Sequence, residues 1–138
     1  MDILYVAKVS VEGGRNGHVK SDDGVIDMDV RMPKGLGGDG GNYTNPEQLF
    51  AAAYSACYDG ALNLVSKMEK IKHEGTKVTA NVAIGRDADG GLGLSVVLDI
   101  EVKGVDKSVA EELAQKAHQV CPYSKATRNN IDVKLNVL

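Results

Sequence analysis

Two cysteines offer most of the chemistry available to this sequence. Cys57 lies within NPEQLFAAAYSACYDGALNLV, Asn45 to Val65, in a stretch with no charge between Gln48 and Tyr58. A thiol among alanines and aromatics reads first as a small apolar packing residue. Cys121 immediately precedes Pro122, and proline suits the first position of a helix. A sulfur at a helix start meets free backbone N–H groups and the positive end of the dipole, both of which favour a thiolate. One thiol in a core helix and one at a helix start, in a chain with two cysteines, point to a redox pair. The spacing is not C-x-x-C, so this is not the local thioredoxin-type motif. Two rival readings stay open on the same residues. Cys57, His118 and Cys121 could hold a metal, or His118 could activate Cys121 for acyl transfer. A zinc site lacks a visible fourth ligand, and His118 falls among Glu111, Gln115 and Gln119 on the polar side of its helix, as a surface histidine does.

The other motifs say less on their own. Gly35-Leu36-Gly37-Gly38-Asp39-Gly40 matches G-x-G-x-x-G letter for letter. A dinucleotide fingerprint needs a buried parallel strand before it and a helix opening on its glycines. Here the preceding strand alternates with charges and the helix begins several residues too late, so the stretch reads as a structurally needed loop. Arg15, in Gly13-Gly14-Arg15-Asn16-Gly17, reads locally as a solvated turn cation. His18 and His73 fall in turns or near helix ends and carry no specific signal.

The elements that must position these residues follow from periodicity. Asn45 caps, Pro46 and acidic Glu47 open the first turn, and Leu49, Phe50, Ala53, Tyr54, Cys57, Ala61, Leu64 and Met68 recur at helical spacing. Thr44 with Glu47 fits a capping box equally well. With alanines on several sides, this central helix is expected to be buried nearly all round. Strands are expected over Ile3 to Val11, His18 to Ser21 and Ile26 to Met32, followed by a loop from Pro33 to Tyr43. Two longer alternating strands follow, from Val78 to Ile84 and from Leu92 to Val102, joined by a GRDADGG turn. Ser108 to Glu111 forms a capping box opening a helix that buries Val109, Leu113, Ala117 and Val120. It must break at Cys121, because the residue before a proline is driven out of helical geometry. A short helix to Thr127, a turn at Asn129-Asn130 and a last strand from Ile131 to Val137 complete the order. Clustered strands with one wet face predict an α+β fold, with an antiparallel sheet wrapped around the central helix. One sheet does not easily cover a helix apolar on every side, so an intertwined homodimer is the expected solution.

At 138 residues the chain is expected to be a single domain, residues 1–138. A formal charge of −3 leaves no electrostatic footprint for nucleic acid. The opening MDILYVAKVS has no signal-peptide pattern, and no apolar run is long enough to cross a bilayer. A cytoplasmic protein with reduced, reactive cysteines is therefore expected, with neither nucleic acid nor membrane as partner.

Taken together, GGRNGHVKSDDG, LGGDGGNYTNPEQLFAAAYSACYDGAL and VCPYSKATRNNIDVKLNV resemble the organic hydroperoxide resistance family, within the superfamily named for the osmotically inducible protein C. The resemblance runs from about Tyr5 to the C-terminus. It includes two cysteines 64 residues apart and an arginine-to-glutamate step of 32. Ala53, Tyr58 and Asn129 depart from it, standing where glycine, phenylalanine and glycine are usual. The resemblance implies an enzyme with no metal or other cofactor. Cys57 would be the peroxidatic residue, Cys121 the resolving one, and Arg15 with Glu47 the pair that tunes the site. Local chemistry alone ranks the sulfurs the other way, since burial disfavours a Cys57 thiolate. A guanidinium at the sulfur reverses that, and Glu47 would hold its planar fork. Leu36, Phe50, Tyr54 and Tyr123 could line an apolar pocket suited to bulky organic hydroperoxides. The implied reductant is a dithiol, notably lipoyl groups on partner enzymes. An alternative without catalysis is a redox-sensing or apolar-ligand-binding module using the same cysteines. Glu47 and Cys57 are ten residues apart, roughly 15 Å along one helix, which favours a site shared between two subunits.

Overall fold

The alternating and helical patterns become nine regular elements in a computed structural model that describes residues 1–138. The strands are β1 (Val9–Glu12), β2 (His18–Ser21), β3 (Asp27–Asp29), β4 (Gly75–Arg86), β5 (Leu92–Lys103) and β6 (Asp132–Val137). The helices are α1 (Pro46–Met68), α2 (Lys107–Val120) and α3 (Pro122–Thr127). The α+β class is as expected. The chain divides into two compact units, Met1–Leu49 and Phe50–Leu138.

In the first unit, β1, β2 and β3 form an antiparallel sheet in that order. Val19 faces Val11 and Met28, and His18 pairs with Asp29. The His18 ring meets Asp29 through Nδ1 at 2.8 Å and Asp27 through Nε2 at 2.6 Å, tying β2 to β3. The strand expected over Ile3 to Val11 is ordered as a strand from Val9 to Glu12 alone. A strand needs a hydrogen-bonding neighbour, and β2 reaches no farther than Ser21, opposite Val9. Ile3, Leu4, Tyr5 and Val6 are exposed. The third strand is also shorter than its alternation implied; beyond Asp29, Val30 makes a parallel bridge to Thr44. A 3-10 turn, Lys34–Leu36, begins the glycine-rich loop. At Gly38 a Cβ would overlap the carbonyl oxygen of Met32, so this loop needs glycine for its own close backbone approach.

In the second unit, β4 and β5 pair antiparallel along their whole length, from Gly75 opposite Lys103 to Arg86 opposite Leu92. The third strand corrects the all-antiparallel expectation: β6 lies parallel to β5, Ser95 opposite Asp132 through Ile100 opposite Val137. A parallel neighbour needs a crossover connection, which α2 and α3 supply. The inward residues Val96, Leu98, Ile100 and Val102 meet Tyr54, Tyr58, Leu62 and Val65 of α1 and Ala110, Leu113, Ala114 and Ala117 of α2 in one core cluster. The α2 helix starts two residues earlier than its capping-box pattern indicated. Asp106 is its N-cap, and its carbonyl accepts from Val109 and Ala110. The buried face of α2 is Ala110, Leu113, Ala114 and Ala117, and Val120, expected on that face, is exposed. The break at Cys121 falls where Pro122 requires it, with an extended ψ of 122°. Asn129 takes the left-handed φ of 63° that asparagine tolerates.

The central helix is covered less completely than its composition implied. Tyr54, Tyr58, Ala61, Leu62, Val65 and Ser66 are buried, whereas Ala52, Ala56, Gly60 and Leu64 are exposed. Those four recur every four residues, a single open stripe on an otherwise packed helix.

Candidate active site

The arginine and glutamate singled out in the sequence meet within the first unit. Arg15 is carried by a 3-10 turn, Gly14–Asn16, between β1 and β2. Glycine is required at Gly17, where a Cβ would overlap the carbonyl oxygen of Glu12. The turn is tied to the segment after β3 through its last residue, Asn16, whose Oδ1 accepts from the Met32 N–H at 3.1 Å. Arg31 adds a hydrogen bond from Nη1 to the Gly17 carbonyl at 2.9 Å. Glu47 is fixed by the start of α1. The capping choice falls to Asn45, whose Oδ1 accepts from the Gln48 N–H at 2.9 Å. Arg15 then grips Glu47 with both arms, Nη1 to Oε2 at 3.0 Å and Nη2 to Oε1 at 2.8 Å. The Glu47 side chain is 13% exposed and that of Arg15 36%. The guanidinium holds the Glu47 carboxyl below its ordinary range, against burial, which acts in the opposite direction. The carboxylate in turn raises the Arg15 value, so the pair is ionised at neutral pH.

The two thiols meet within the second unit. Cys57 projects from the middle of α1, and Cys121 occupies the N-cap of α3. Their sulfurs are 3.6 Å apart, the Cys121 thiol positioned to donate, and both cysteines are unlinked. Cys121 is wholly buried, and its Sγ accepts from the Ser124 N–H at 3.5 Å. Cys57 is half-buried. Burial pushes its thiol above the ordinary value; the Tyr123 backbone N–H pulls it down, and the Cys121 thiol pushes it further up. Within its own unit, the surroundings of Cys57 therefore disfavour its thiolate.

The aromatic residues expected to contact substrate fall into two groups. Phe50, Tyr54 and Tyr123 pack in series, the first pair edge-to-face with ring centroids 6.0 Å apart and the second tilted at 5.9 Å. Phe50 and Tyr123 keep exposed surface, but Tyr54 is 0% exposed. Tyr54 is thus a core residue with no atom free to touch substrate, a correction to its expected role. Leu36 lies in the glycine-rich loop of the first unit, half-buried.

The rival roles for His118 find no geometry. No cluster of three His, Cys, Asp or Glu side chains is arranged to hold a metal. Its ring packs against Tyr58, centroids 6.4 Å apart, rather than against a sulfur. Its Nδ1 is buried without a hydrogen-bond partner, so it is a half-buried packing residue and not the surface histidine its helix face implied. Burial, and then the nearby Arg128, lower its pKa. Tyr58, one of the departures from the family pattern, is also a core residue, its hydroxyl donating to the Ala114 carbonyl at 2.7 Å.

Sequence reasoning passed over Ser124 and Thr127. Both are buried, and both hydroxyls lie within reach of the Tyr54 hydroxyl, at 3.0 and 3.3 Å. The signal was present: Cys121, Ser124 and Thr127 recur every three residues, placing a sulfur and two hydroxyls on one side of α3.

Residues 37–136 match the family described as OsmC-like protein. The organic hydroperoxide resistance protein OhrA of Bacillus subtilis is 52% identical over 140 residues, covering 97% of this chain and 96% of the relative. OhrB of the same organism is 47% identical over 135 residues, with 97% and 98% covered. Among solved structures, an organic hydroperoxide resistance protein from Elizabethkingia anophelis superposes with a TM-score of 0.93 at 58% identity. That match covers 99% of this chain and 98% of the other.

Proposed function

The chain belongs to the OsmC-like family, in its organic hydroperoxide resistance branch, and from that membership we propose that it reduces organic hydroperoxides to alcohols with its two cysteines. The observation that carries the reading is the thiol pair, two unlinked sulfurs 3.6 Å apart, one half-buried and one sealed at a helix start. The Cys57 thiolate attacks one peroxide oxygen; an S–O bond forms, the O–O bond breaks, and the alkoxide leaves as alcohol after taking a proton. Cys57 is then a sulfenic acid. The Cys121 sulfur attacks it, an S–S bond forms, the S–O bond breaks and water leaves. A dithiol returns two electrons and two protons to restore both thiols. Lipoyl groups of partner enzymes are the proposed source, in a reducing cytoplasm.

Arg15 and Glu47 are proposed to serve Cys57. A guanidinium held by a bidentate carboxylate keeps its orientation and charge at neutral pH. Such a group would favour the thiolate that burial opposes and would stabilise charge developing on the peroxide oxygens. The support is the ion pair itself, formed by residues 32 positions apart. Phe50 and Tyr123, with Leu36 from the loop, are proposed as the apolar surface that favours bulky hydroperoxides over hydrogen peroxide.

A homodimer is part of the proposal. The exposed stripe of Ala52, Ala56, Gly60 and Leu64 and the exposed Ile3 to Val6 segment are apolar surfaces that a second copy would remove from water. The deciding experiment is consumption of cumene or t-butyl hydroperoxide with dihydrolipoamide as reductant. Turnover with organic peroxides that exceeds turnover with hydrogen peroxide is expected. A protein that oxidises once and never turns over is instead a redox sensor, and one that consumes no peroxide is a binding module.

A further inference from the structure

Tyr54 stands three residues before Cys57 in α1, and its ring is enclosed between Phe50 and Tyr123. Its hydroxyl reaches across to α3 at two points, Ser124 Oγ at 3.0 Å and Thr127 Oγ1 at 3.3 Å. Proton accounting gives this network a direction. The single Thr127 proton goes to a backbone carbonyl of its own helix, Tyr123 at 3.0 Å or Ser124 at 3.1 Å. Thr127 can then only accept from Tyr54, so Tyr54 must itself accept from Ser124. The chain of donors runs from Ser124 to Tyr54 to Thr127 to backbone, and every hydroxyl is satisfied. The backbone N–H of the same Ser124 donates to the Cys121 sulfur. One residue therefore touches both the tyrosine from α1 and the thiol that must reach α1.

We propose that Tyr54 is a positioning residue for closure of the Cys57–Cys121 disulfide, acting through Ser124 and Thr127. It rests on the two-cysteine reading above and adds to it the residue that sets the sulfur geometry. α3 is six residues long, too short to be rigidly placed by its own hydrogen bonds. The Tyr54 hydroxyl fastens both its first and its last turn to the helix that carries Cys57. The sulfurs stand at 3.6 Å, whereas a disulfide needs about 2.05 Å, so closure takes a small, directed movement of the Cys121 sulfur and the short helix it caps toward α1. An anchor at two points of α3 limits that movement to closure and keeps Cys121 aimed at Cys57. A tyrosine present only to fill the core would need no such partners. Phenylalanine has nearly the same volume, and replacing all partners of a buried polar network by apolar groups is close to neutral for stability. Three buried hydroxyls retained beside the sulfurs are explained by positioning.

Tyr54→Phe keeps the ring and removes the anchor. Single-turnover oxidation with t-butyl hydroperoxide separates two steps: oxidation of Cys57, followed in a Cys121→Ser background, and disulfide closure, followed by intact mass with dimedone trapping of sulfenic acid. Tyr54→Phe should slow closure by about tenfold or more relative to the first step, since a misplacement of order 1 Å is worth that much. Dimedone-reactive and over-oxidised Cys57 should accumulate. Closure is also driven without peroxide by diamide, which takes two electrons and two protons as the two thiols become one disulfide; it should slow to the same degree. If the unaltered protein consumes no peroxide, the peroxidase reading fails while the diamide arm still judges the anchor. Ser124→Ala, which removes one of the two attachments, should slow closure less than Tyr54→Phe, and it carries the test should Tyr54→Phe not fold. Closure at an unchanged rate in folded variants, or both steps slowing equally, overturns the proposal.

Discussion

Cys57 and Cys121 differ in what surrounds their sulfurs, and the difference assigns their proposed roles. Cys57 is half-exposed, where a peroxide can arrive, and Cys121 is sealed. Cys57→Ser is expected to abolish peroxide consumption. Cys121→Ser should complete one turnover and hold a sulfenic acid at Cys57, seen by mass spectrometry after one equivalent of peroxide. Oxidation of Cys121 at full rate in the Cys57→Ser protein would reverse the roles. Burial alone raises the Cys57 thiol, so the pH dependence of its oxidation reports whether a cation serves it. If Arg15 does, the rate should reach its half-maximum below the ordinary thiol value of about 8.5. In Arg15→Ala the midpoint should move above that value, and Arg15→Lys should be nearly as slow, because lysine has no fork to match the carboxylate. A lysine variant keeping most of the rate would refute the bidentate role. Acid should undo the pair from the other side. Glu47 has its carboxyl pKa lowered by Arg15, so the pair's contribution is complete above the ordinary glutamate value of about 4.3. It is lost as pH falls through the depressed value below that.

Among the elements, the turn carrying Arg15 is closely constrained at Gly17. A Cβ at Gly17 would meet the Glu12 carbonyl, which is backbone and cannot rotate away. Gly17→Ala is expected to cost about 1–3 kcal/mol, as overpacking does, and to weaken the Arg15–Glu47 pair by displacing the turn. Gly35→Ala is its control. Nothing lies within 4 Å of a Cβ there, and the change should stay within about 0.5 kcal/mol of neutral. Thermal melts of the two variants beside their peroxidase rates measure both effects. Equal melting temperatures would show that the turn can shift at little cost.

For the whole molecule, the open question concerns the second copy. α1 is unbroken from Pro46 to Met68, so Glu47 and Cys57 are separated by ten residues of continuous helix, about 15 Å of rise. Two such helices packed antiparallel about a two-fold axis would bring the Glu47 of each chain toward the Cys57 of the other, producing two equal sites. Mixed Cys57→Ser and Glu47→Ala subunits, each inactive alone, should then regain one working site per heterodimer. Mixtures that stay inactive despite proven subunit exchange would place each site within one chain.

Much of this was legible in the sequence because it is local. Apolar spacing marked α1, β4 and β5, Pro122 marked the break that puts Cys121 at a helix start, and the motifs around Arg15, Glu47 and the cysteines marked the family. Each of these depends on residues a few positions apart, and local propensity is written at that range. Other features needed the tertiary structure. β6 lies parallel to β5 because the chain returns through α2 and α3, which an alternating pattern cannot reveal. β1 ends where its partner ends, not where its apolar residues do. Tyr54 read as a pocket aromatic because its type is amphipathic. Its hydroxyl partners, 70 and 73 residues away, made it an interior anchor. Whether a polar group is a ligand or a brace depends on what faces it across the core, and folding brings those neighbours together from distant parts of the chain.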